Sequence, residues 1–165
     1  MAACVVRGPE SAPPAETESC EGAIRVDGAD IADDIADSSS REGETLIYVC
    51  ATCRRPGDPE DMPRPGAALA VATARAAAGT DLVVHPLRCL ANCKRGCTAV
   101  LRSPGAWTYV FGHLDPWCDA EALVQGAKLL ADAADGLMPW RGRPDALKRG
   151  LIARVPPLDY QEIDE

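Results

Sequence analysis

The chain has 165 residues, enough for one domain with an additional tail. Its formal net charge of −8 lies in the first 44 residues, which hold 11 acidic residues against 3 arginines, whereas residues 45–165 are balanced. Residues 45–165 therefore lack the basic surface that non-specific nucleic-acid binding needs, and we expect no nucleic-acid partner. No apolar run approaches the roughly 20 residues of a membrane-spanning helix, so we expect no membrane association.

Residues 1–44 form an acidic leader with no sustained apolar period. This stretch contains Pro13, Pro14 and a serine run, and such a composition buries too little apolar surface to offset chain entropy. The leader is therefore predicted to be disordered. It does not have the pattern of a secretory signal, because Arg7 comes early and no long apolar core follows it. We expect a cytoplasmic protein, and in that compartment grouped cysteines more often bind metal or perform redox chemistry than form structural disulfides.

The first half of the ordered chain is predicted to contain a helix between two strands. In chain order the elements are the strand Thr45–Cys50, a loop over residues 54–66, the helix Ala67–Ala78 and the strand Asp81–Leu87. Gly79 is suited to end the helix as a C-terminal cap. Pro86 cannot donate to a neighbouring strand, which indicates either an edge position for the second strand or the end of that strand.

The second half is predicted to contain a β-hairpin followed by a helix. Its elements are the strand Cys97–Leu101, a tight turn at residues 103–105, the strand Trp107–Phe111 and a helix from Asp115-Pro116 to Gly136. In the last strand aromatic residues alternate with Thr108 and Val110, which is the period-two pattern of a strand. Asp115 followed by proline is typical of a helix N-cap.

The resulting order, β-α-β-β-β-α, predicts an α/β fold. A helical connection between two strands implies parallel pairing, while the hairpin must be antiparallel. This order matches a thioredoxin-like mixed sheet with flanking helices. We divide the chain into the leader 1–44, a thioredoxin-like domain over 45–136 and a C-terminal extension over 137–165 that packs on the domain. The extension contains a short helix candidate at Pro144–Arg149.

Five of the eight cysteines form two groups, and these groups are the main functional signal. CATC supplies Cys50 and Cys53, and CLANCKRGC supplies Cys89, Cys93 and Cys97. Thiolates are soft ligands that select zinc, copper(I) or iron–sulfur clusters. Each group follows a predicted strand, so the two distant segments are expected to converge on one metal centre.

The cysteine pattern resembles that of the thioredoxin-like [2Fe–2S] ferredoxins. The similar features are Cys89 and Cys93 with three residues between them, a glycine soon after, and a hairpin ending in AWTYVFGHLDP. The resemblance implies that Cys50, Cys89 and Cys93 are three of the four ligands. The second ligand departs from the family pattern, because residues 57–67 contain no cysteine. Cys53 is the nearest substitute, and Cys97 is an additional thiol.

A second resemblance covers about residues 45–158. The segments YVCATCRRPGDP, CLANCKRGCTAVL, WTYVFGHLDP, ADGLMPWRGRP and GLIARVPPL together resemble the DUF1636 family of uncharacterised predicted metal-binding proteins.

These patterns predict a metal-binding protein that holds a [2Fe–2S] cluster for electron transfer or for redox or iron sensing. The candidate ligands are Cys50, Cys53, Cys89 and Cys93, with Cys97 competing for the fourth place. An unidentified redox or metal-trafficking protein is the expected partner, and homodimer formation is left open. The chain has no glycine-rich phosphate loop, HExxH or GxSxG motif, so an electron carrier or metal-binding protein is expected rather than an enzyme.

Two alternatives use the same cysteines. A zinc-binding or metal-carrying protein would use four thiolates around one ion, although the 35 residues between Cys53 and Cys89 exceed ordinary zinc-ribbon spacing. A thiol–disulfide oxidoreductase would use Cys50 and Cys53 as its redox pair. Against the oxidoreductase, CATC runs into RRPGDP instead of opening a helix, and KRGC lacks the proline that thioredoxins place before the third strand.

The remaining candidates receive smaller roles. The basic residues beside the cysteines would either offset cluster charge or be solvated surface cations; they are Arg54, Arg55, Arg88, Lys94 and Arg95. The lone histidines His85 and His113 are not expected to bind metal. Cys118 is predicted to be a small buried hydrophobic residue in the first turn of a helix. Cys4 and Cys20 are assigned no role.

Overall fold

The structure, a computed structural model, describes residues 43–54, 57–58 and 63–161. Five strands form one mixed sheet with the order β2-β1-β3-β4-β5. The strands are β1 Thr45–Cys50, β2 Leu82–Leu87, β3 Ala99–Arg102, β4 Thr108–Phe111 and β5 Leu151–Val155. The helices are α1 Pro65–Ala77, α2 Ala120–Ala131 and α3 Asp145–Arg149, and a single 3₁₀ turn covers Cys93–Arg95.

The strand pairing confirms the predicted thioredoxin-like α/β fold. β1 and β2 are parallel, with Cys50 opposite Leu87, and α1 forms the connection between them. β3 is antiparallel to both β1 and β4. β2 lies at the edge of the sheet, as Pro86 predicted, so the missing N–H removes no bond from a second neighbour.

The two long helices cover one face of the sheet. α1 and α2 contact each other, and both contact β1. The sheet contributes Ile47, Leu101 and Phe111 to this core, all with no exposed surface. α2 approaches closely because Gly126 lies against Leu101 and Leu147; a Cβ at Gly126 would be 3.2 Å from Leu101 Cδ1. Removing this apolar surface from water is the main force that holds the layers together.

The predicted limits of α2 were wrong at both ends. Asp115 does not cap the helix; its carboxylate accepts a hydrogen bond from the Trp117 N–H at 2.8 Å. The Asp119 carboxylate in turn accepts one from the Asp115 N–H at 2.7 Å, so this segment forms a turn and α2 begins at Ala120. The helix ends at Ala131, and Gly136 belongs to a separate turn with φ +68°.

The C-terminal segment contributes a strand that the sequence analysis did not predict. β5 pairs antiparallel with β4 and completes the five-stranded sheet. The short helix predicted at Pro144–Arg149 is confirmed as α3, and Leu147 on it is fully buried. Within the described part of the chain, no helix has the length and apolar character needed to cross a membrane.

Candidate functional site

The fold brings the two cysteine groups to one end of the sheet, where the carboxyl ends of β1 and β2 lie. β1 and β2 are parallel, so their carboxyl ends meet there, and the antiparallel β3 begins at the same end. Cys50 is the last residue of β1, and Cys89 and Cys93 follow β2. The backbones are joined directly, because the Cys50 N–H donates to the Thr98 carbonyl at 3.0 Å and the Ala51 N–H donates to the Leu87 carbonyl at 2.8 Å.

Cys50 and Cys53 form a buried, hydrogen-bonded pair of thiols. Each exposes only 2% of its surface. Burial raises the pKa of Cys50, but hydrogen bonds from the Cys53 thiol, the Leu90 N–H and Thr52 outweigh it and lower that pKa below its ordinary value. Burial raises the pKa of Cys53 to about 11, and hydrogen bonding to Cys50 adds to the rise. Of the two thiols, Cys50 therefore loses its proton at the lower pH.

The second group differs in exposure. Cys89 and Cys93 are exposed, while Cys97 is completely buried. The Cys89 sulfur accepts a hydrogen bond from the Ala91 N–H at 3.2 Å. Ala91 has φ +56°, a conformation in which alanine is uncommon and which is found in tight functional loops. Cys97 precedes β3 instead of starting it as predicted, because β3 begins at Ala99.

The start of α1 packs on the cysteine pair through Gly66. The Gly66 N–H donates to the Cys53 carbonyl at 3.2 Å. A Cβ at Gly66 would overlap the Cys50 carbonyl oxygen and lie 2.9 Å from the Cys53 nitrogen. From the other side, Gly96 approaches Arg54, and a Cβ there would lie 2.6 Å from the Arg54 carbonyl oxygen. Glycine is therefore needed at both positions for the backbone to enclose Cys53.

This packing is a contact that the sequence did not indicate. The motif does not open a helix locally, but the helix start is brought to it from Pro65-Gly66. The N–H of Gly66 is used by the Cys53 carbonyl and not by a sulfur atom. The proline and glycine at the first helical positions are the only sequence signal of this approach, and by themselves they do not reveal what the helix contacts.

The candidate ligands are only partly assembled. Cys50 and Cys53 perturb the pKa of each other, and the bond from the Ala51 N–H to the Leu87 carbonyl joins their turn to the end of β2, just before Cys89. In the ranges 43–54, 57–58 and 63–161, no three Cys, His, Asp or Glu side chains gather in an arrangement that would hold a metal ion.

The predicted basic residues lie around the same end of the sheet. Arg88, Lys94 and Arg95 are exposed, and Arg54 is half-buried, while Arg55 lies outside the described residues. Arg64, which the sequence analysis did not select, donates a hydrogen bond from Nη1 to the Thr52 carbonyl at 2.9 Å. It therefore holds the turn between the paired cysteines.

The other candidates lie in different surroundings. Cys118 is exposed, so the prediction that it is buried was wrong; the reason is that residues 115–119 form a surface turn and not the first turn of a helix. His85 stacks on Tyr48 with ring centres 5.5 Å apart. His113 is exposed and has φ +56°. Cys4 and Cys20 lie outside the described residues.

Comparison with known proteins identifies the family. The profile described as "Protein of unknown function (DUF1636)" matches residues 47–157, and the chain belongs to that family. Comparison with curated proteins finds no match.

Two solved structures resemble the chain. One is a thioredoxin-like [2Fe–2S] ferredoxin from Aquifex aeolicus, at 19% identity and a TM-score of 0.46, covering 72% of this chain and 99% of that one. The other is the wild-type thioredoxin-like [2Fe–2S] ferredoxin from Aquifex aeolicus, at 19% identity and a TM-score of 0.43, covering 67% of this chain and 98% of that one. The thioredoxin-like assignment rests on the strand order and pairing of the chain itself.

Proposed function

We propose that this DUF1636 protein holds a [2Fe–2S] cluster through cysteine thiolates, for one-electron transfer or for redox or iron sensing. The residues that would hold the cluster are Cys50, Cys53, Cys89 and Cys93, with Cys97 as the competitor for the fourth place. The observation that supports this most is the meeting of the two cysteine groups at one end of the sheet, where the Cys50 N–H donates to the Thr98 carbonyl and the Ala51 N–H to the Leu87 carbonyl.

The chemistry of the donors fits a thiophilic group. Each of the five cysteines of the two groups is outside any disulfide. The Cys89 sulfur accepts a hydrogen bond from the Ala91 N–H. Hydrogen bonding from the Leu90 backbone helps to lower the pKa of Cys50, and that from the Thr98 backbone limits the rise in the pKa of Cys53. Hydrogen bonds to sulfur stabilise thiolates and are among the factors that set the potential of iron–sulfur clusters.

The exposure of the cysteines fits a site that is loaded from one side. Cys50 and Cys53 are buried, whereas Cys89 and Cys93 are exposed. The exposed thiols are accessible to incoming iron and sulfide. The buried thiols are shielded from water, which raises the strength of the charge interactions that they make.

The charge around the site also fits an anionic centre. A [2Fe–2S] centre with four thiolates carries about two net negative charges in its oxidised form. Arg88, Lys94 and Arg95 are exposed beside the cysteines and would offset part of that charge. When bound, the cluster supplies one-electron chemistry, and the chain sets its reduction potential. The same basic residues would favour the docking of an acidic protein partner.

A thiol–disulfide oxidoreductase is the second candidate. The contact between Cys50 and Cys53, with the pKa of one lowered and that of the other raised, favours a dithiol redox pair. However, each of the two cysteines is 98% buried, so the disulfide of another protein has no direct approach to either sulfur. A zinc-binding or metal-carrying role uses the same four thiolates and differs in lacking sulfide and visible colour.

The test compares the visible spectrum and iron content of serine variants purified without oxygen. Cys89→Ser and Cys93→Ser should each lose the brown chromophore and most of the iron, because serine is a poor ligand for the cluster. Cys118→Ser is the control for the loss of a cysteine outside the two groups, since Cys118 is disulfide-bonded and lies in a turn before α2, and it should keep both. A coloured Cys89→Ser variant with full iron content would show that the ligand assignment is wrong.

A further inference from the structure

We infer that Cys50 and Cys53 close to an intramolecular disulfide when the site is empty, and that the oxidant is a small hydroperoxide. The closure of the pair stands on its own geometry. Its consequence rests on the proposed function, because the disulfide would withdraw two of the four thiolates that hold the cluster.

The two thiols are placed for this reaction. Cys50 and Cys53 lie in one buried turn with two residues between them, and each thiol perturbs the pKa of the other, so the two sulfurs are neighbours. The turn between them is closed by a hydrogen bond from the Cys53 N–H to the Cys50 carbonyl at 3.4 Å. Gly66 and Gly96 pack against Cys53 from two sides, which holds the turn in this form.

The burial of the pair selects the oxidant. Cys50 and Cys53 each expose 2% of their surface. A protein disulfide or glutathione disulfide must bring its own S–S bond in line with the attacking sulfur, and the buried position leaves no room for that approach. Hydrogen peroxide is close to water in size and needs no such surface. The exposed Cys89 and Cys93 are the thiols that a larger disulfide would meet first.

The reaction balances in two steps. One sulfur of the pair, as thiolate, attacks a peroxide oxygen; the O–O bond breaks, and sulfenic acid and hydroxide form. The second sulfur then attacks the sulfenic sulfur, the S–S bond forms, and the leaving hydroxide takes up the thiol proton as water. Two thiols are oxidised and one peroxide is reduced to two waters, with no further reactant.

The experiment uses the full chain, freed of metal with a chelator and reduced without oxygen. One equivalent of hydrogen peroxide is added, the remaining thiols are alkylated, and the peptides are mapped by mass spectrometry. In the unaltered chain we expect the two cysteine groups to lose two thiols and to gain one disulfide, which joins Cys50 to Cys53. Cys118→Ser should give the same bond, which separates it from the disulfide that Cys118 itself forms. In Cys53→Ser we expect no disulfide and a sulfenic acid on Cys50 that dimedone traps. Glutathione disulfide should instead modify Cys89 or Cys93.

Three results would overturn the inference. The first is a disulfide formed with peroxide that includes Cys89, Cys93 or Cys97. The others are no loss of thiols, and faster closure with glutathione disulfide than with peroxide.

Parallel samples are supplied with iron and sulfide, and the oxidised sample should take up a cluster only after dithiothreitol is added. Equal loading of oxidised and reduced samples would overturn the inferred consequence, that the disulfide blocks the cluster site, and would leave the proposed function standing. Closure of the pair in a chain whose reduced form never takes up iron would uphold the pair chemistry and refute the proposed function.

Discussion

Replacing Gly66 with alanine tests whether the start of α1 holds the cysteine pair. The new methyl group would overlap the Cys50 carbonyl oxygen and lie 2.9 Å from the Cys53 nitrogen and 3.0 Å from the Cys53 Cβ. Two of these three atoms belong to the backbone, so no side-chain rotation relieves the contact. The first turn of α1 and the Cys50–Cys53 turn must therefore move apart.

The expected loss of stability follows from two opposing effects. Overpacking in a well-packed region costs about 1–3 kcal/mol. Alanine in place of glycine within a helix recovers up to about 1 kcal/mol. We therefore expect the free energy of unfolding to fall by about 1–2 kcal/mol, which corresponds to a decrease of about 1 M in the urea midpoint. The separation of α1 from the turn should also slow the closure of the Cys50–Cys53 disulfide.

The assay is urea unfolding of the reduced, metal-free protein, combined with the rate of disulfide closure. Gly79→Ala is the control, because Gly79 has open space around it and φ +77°. Alanine in that conformation costs about 1–2 kcal/mol, so the control matches the loss of stability without touching the cysteines. Wild-type stability in Gly66→Ala, or equal slowing of closure in both variants, would refute the packing argument.

Three further predictions concern stability and pH. Tyr109→Phe removes the hydroxyl that accepts the buried Met138 N–H at 2.9 Å, and urea unfolding should show a loss of about 1–3 kcal/mol; an unchanged midpoint would contradict this. Leu147→Ala should cost about 2–5 kcal/mol, because the fully buried Leu147 packs α3 on Gly126, and a smaller loss in urea unfolding would show that α3 is peripheral. The stability of the reduced, metal-free chain should depend on pH with a maximum near the ordinary cysteine pKa. Below that value the lowered pKa of Cys50 means that the unfolded chain binds more protons, so stability rises with pH. Above it, up to about 11, the folded chain keeps the Cys53 proton that the unfolded chain has lost, so stability falls as pH rises. Cys53→Ser should abolish that fall in urea titrations at several pH values, and an unaltered fall would show that another group causes it.

The central sheet could be predicted because local chemistry and fold agree there. Thr45–Cys50 is rich in β-formers, and β1 has these same bounds. Gly79 and Gly105 both have positive φ, as their roles in a helix end and a turn require. Pro86 placed β2 at the sheet edge because proline lacks the N–H that an inner strand needs on both sides.

The errors occurred where neighbouring residues or distant packing decide the structure. Asp115 resembles a helix cap, but its carboxylate bonds to the Trp117 N–H in a turn, and such local bonds compete with helix formation. β5 has two half-buried and three exposed residues, so it lacks the alternation that would have marked it as a strand. Its position comes from pairing with β4, which no local pattern reports.

The candidate site could be predicted only in part, for the same reason. Strand order implied that the two cysteine groups follow neighbouring strand ends. The contact of Gly66 with Cys53, and the exposure of Cys118, depend on how distant segments pack. Whether the cysteines bind a cluster stays a prediction.

The most direct test of the proposed function is metal and acid-labile sulfide analysis of the unaltered protein, purified without oxygen, together with its visible spectrum. We expect iron and sulfide at about two each per chain and a brown colour. Stoichiometric zinc without sulfide or colour, reproduced after growth in iron-replete medium, would contradict it. The absence of any metal would also contradict it and would leave Cys50 and Cys53 as a dithiol pair.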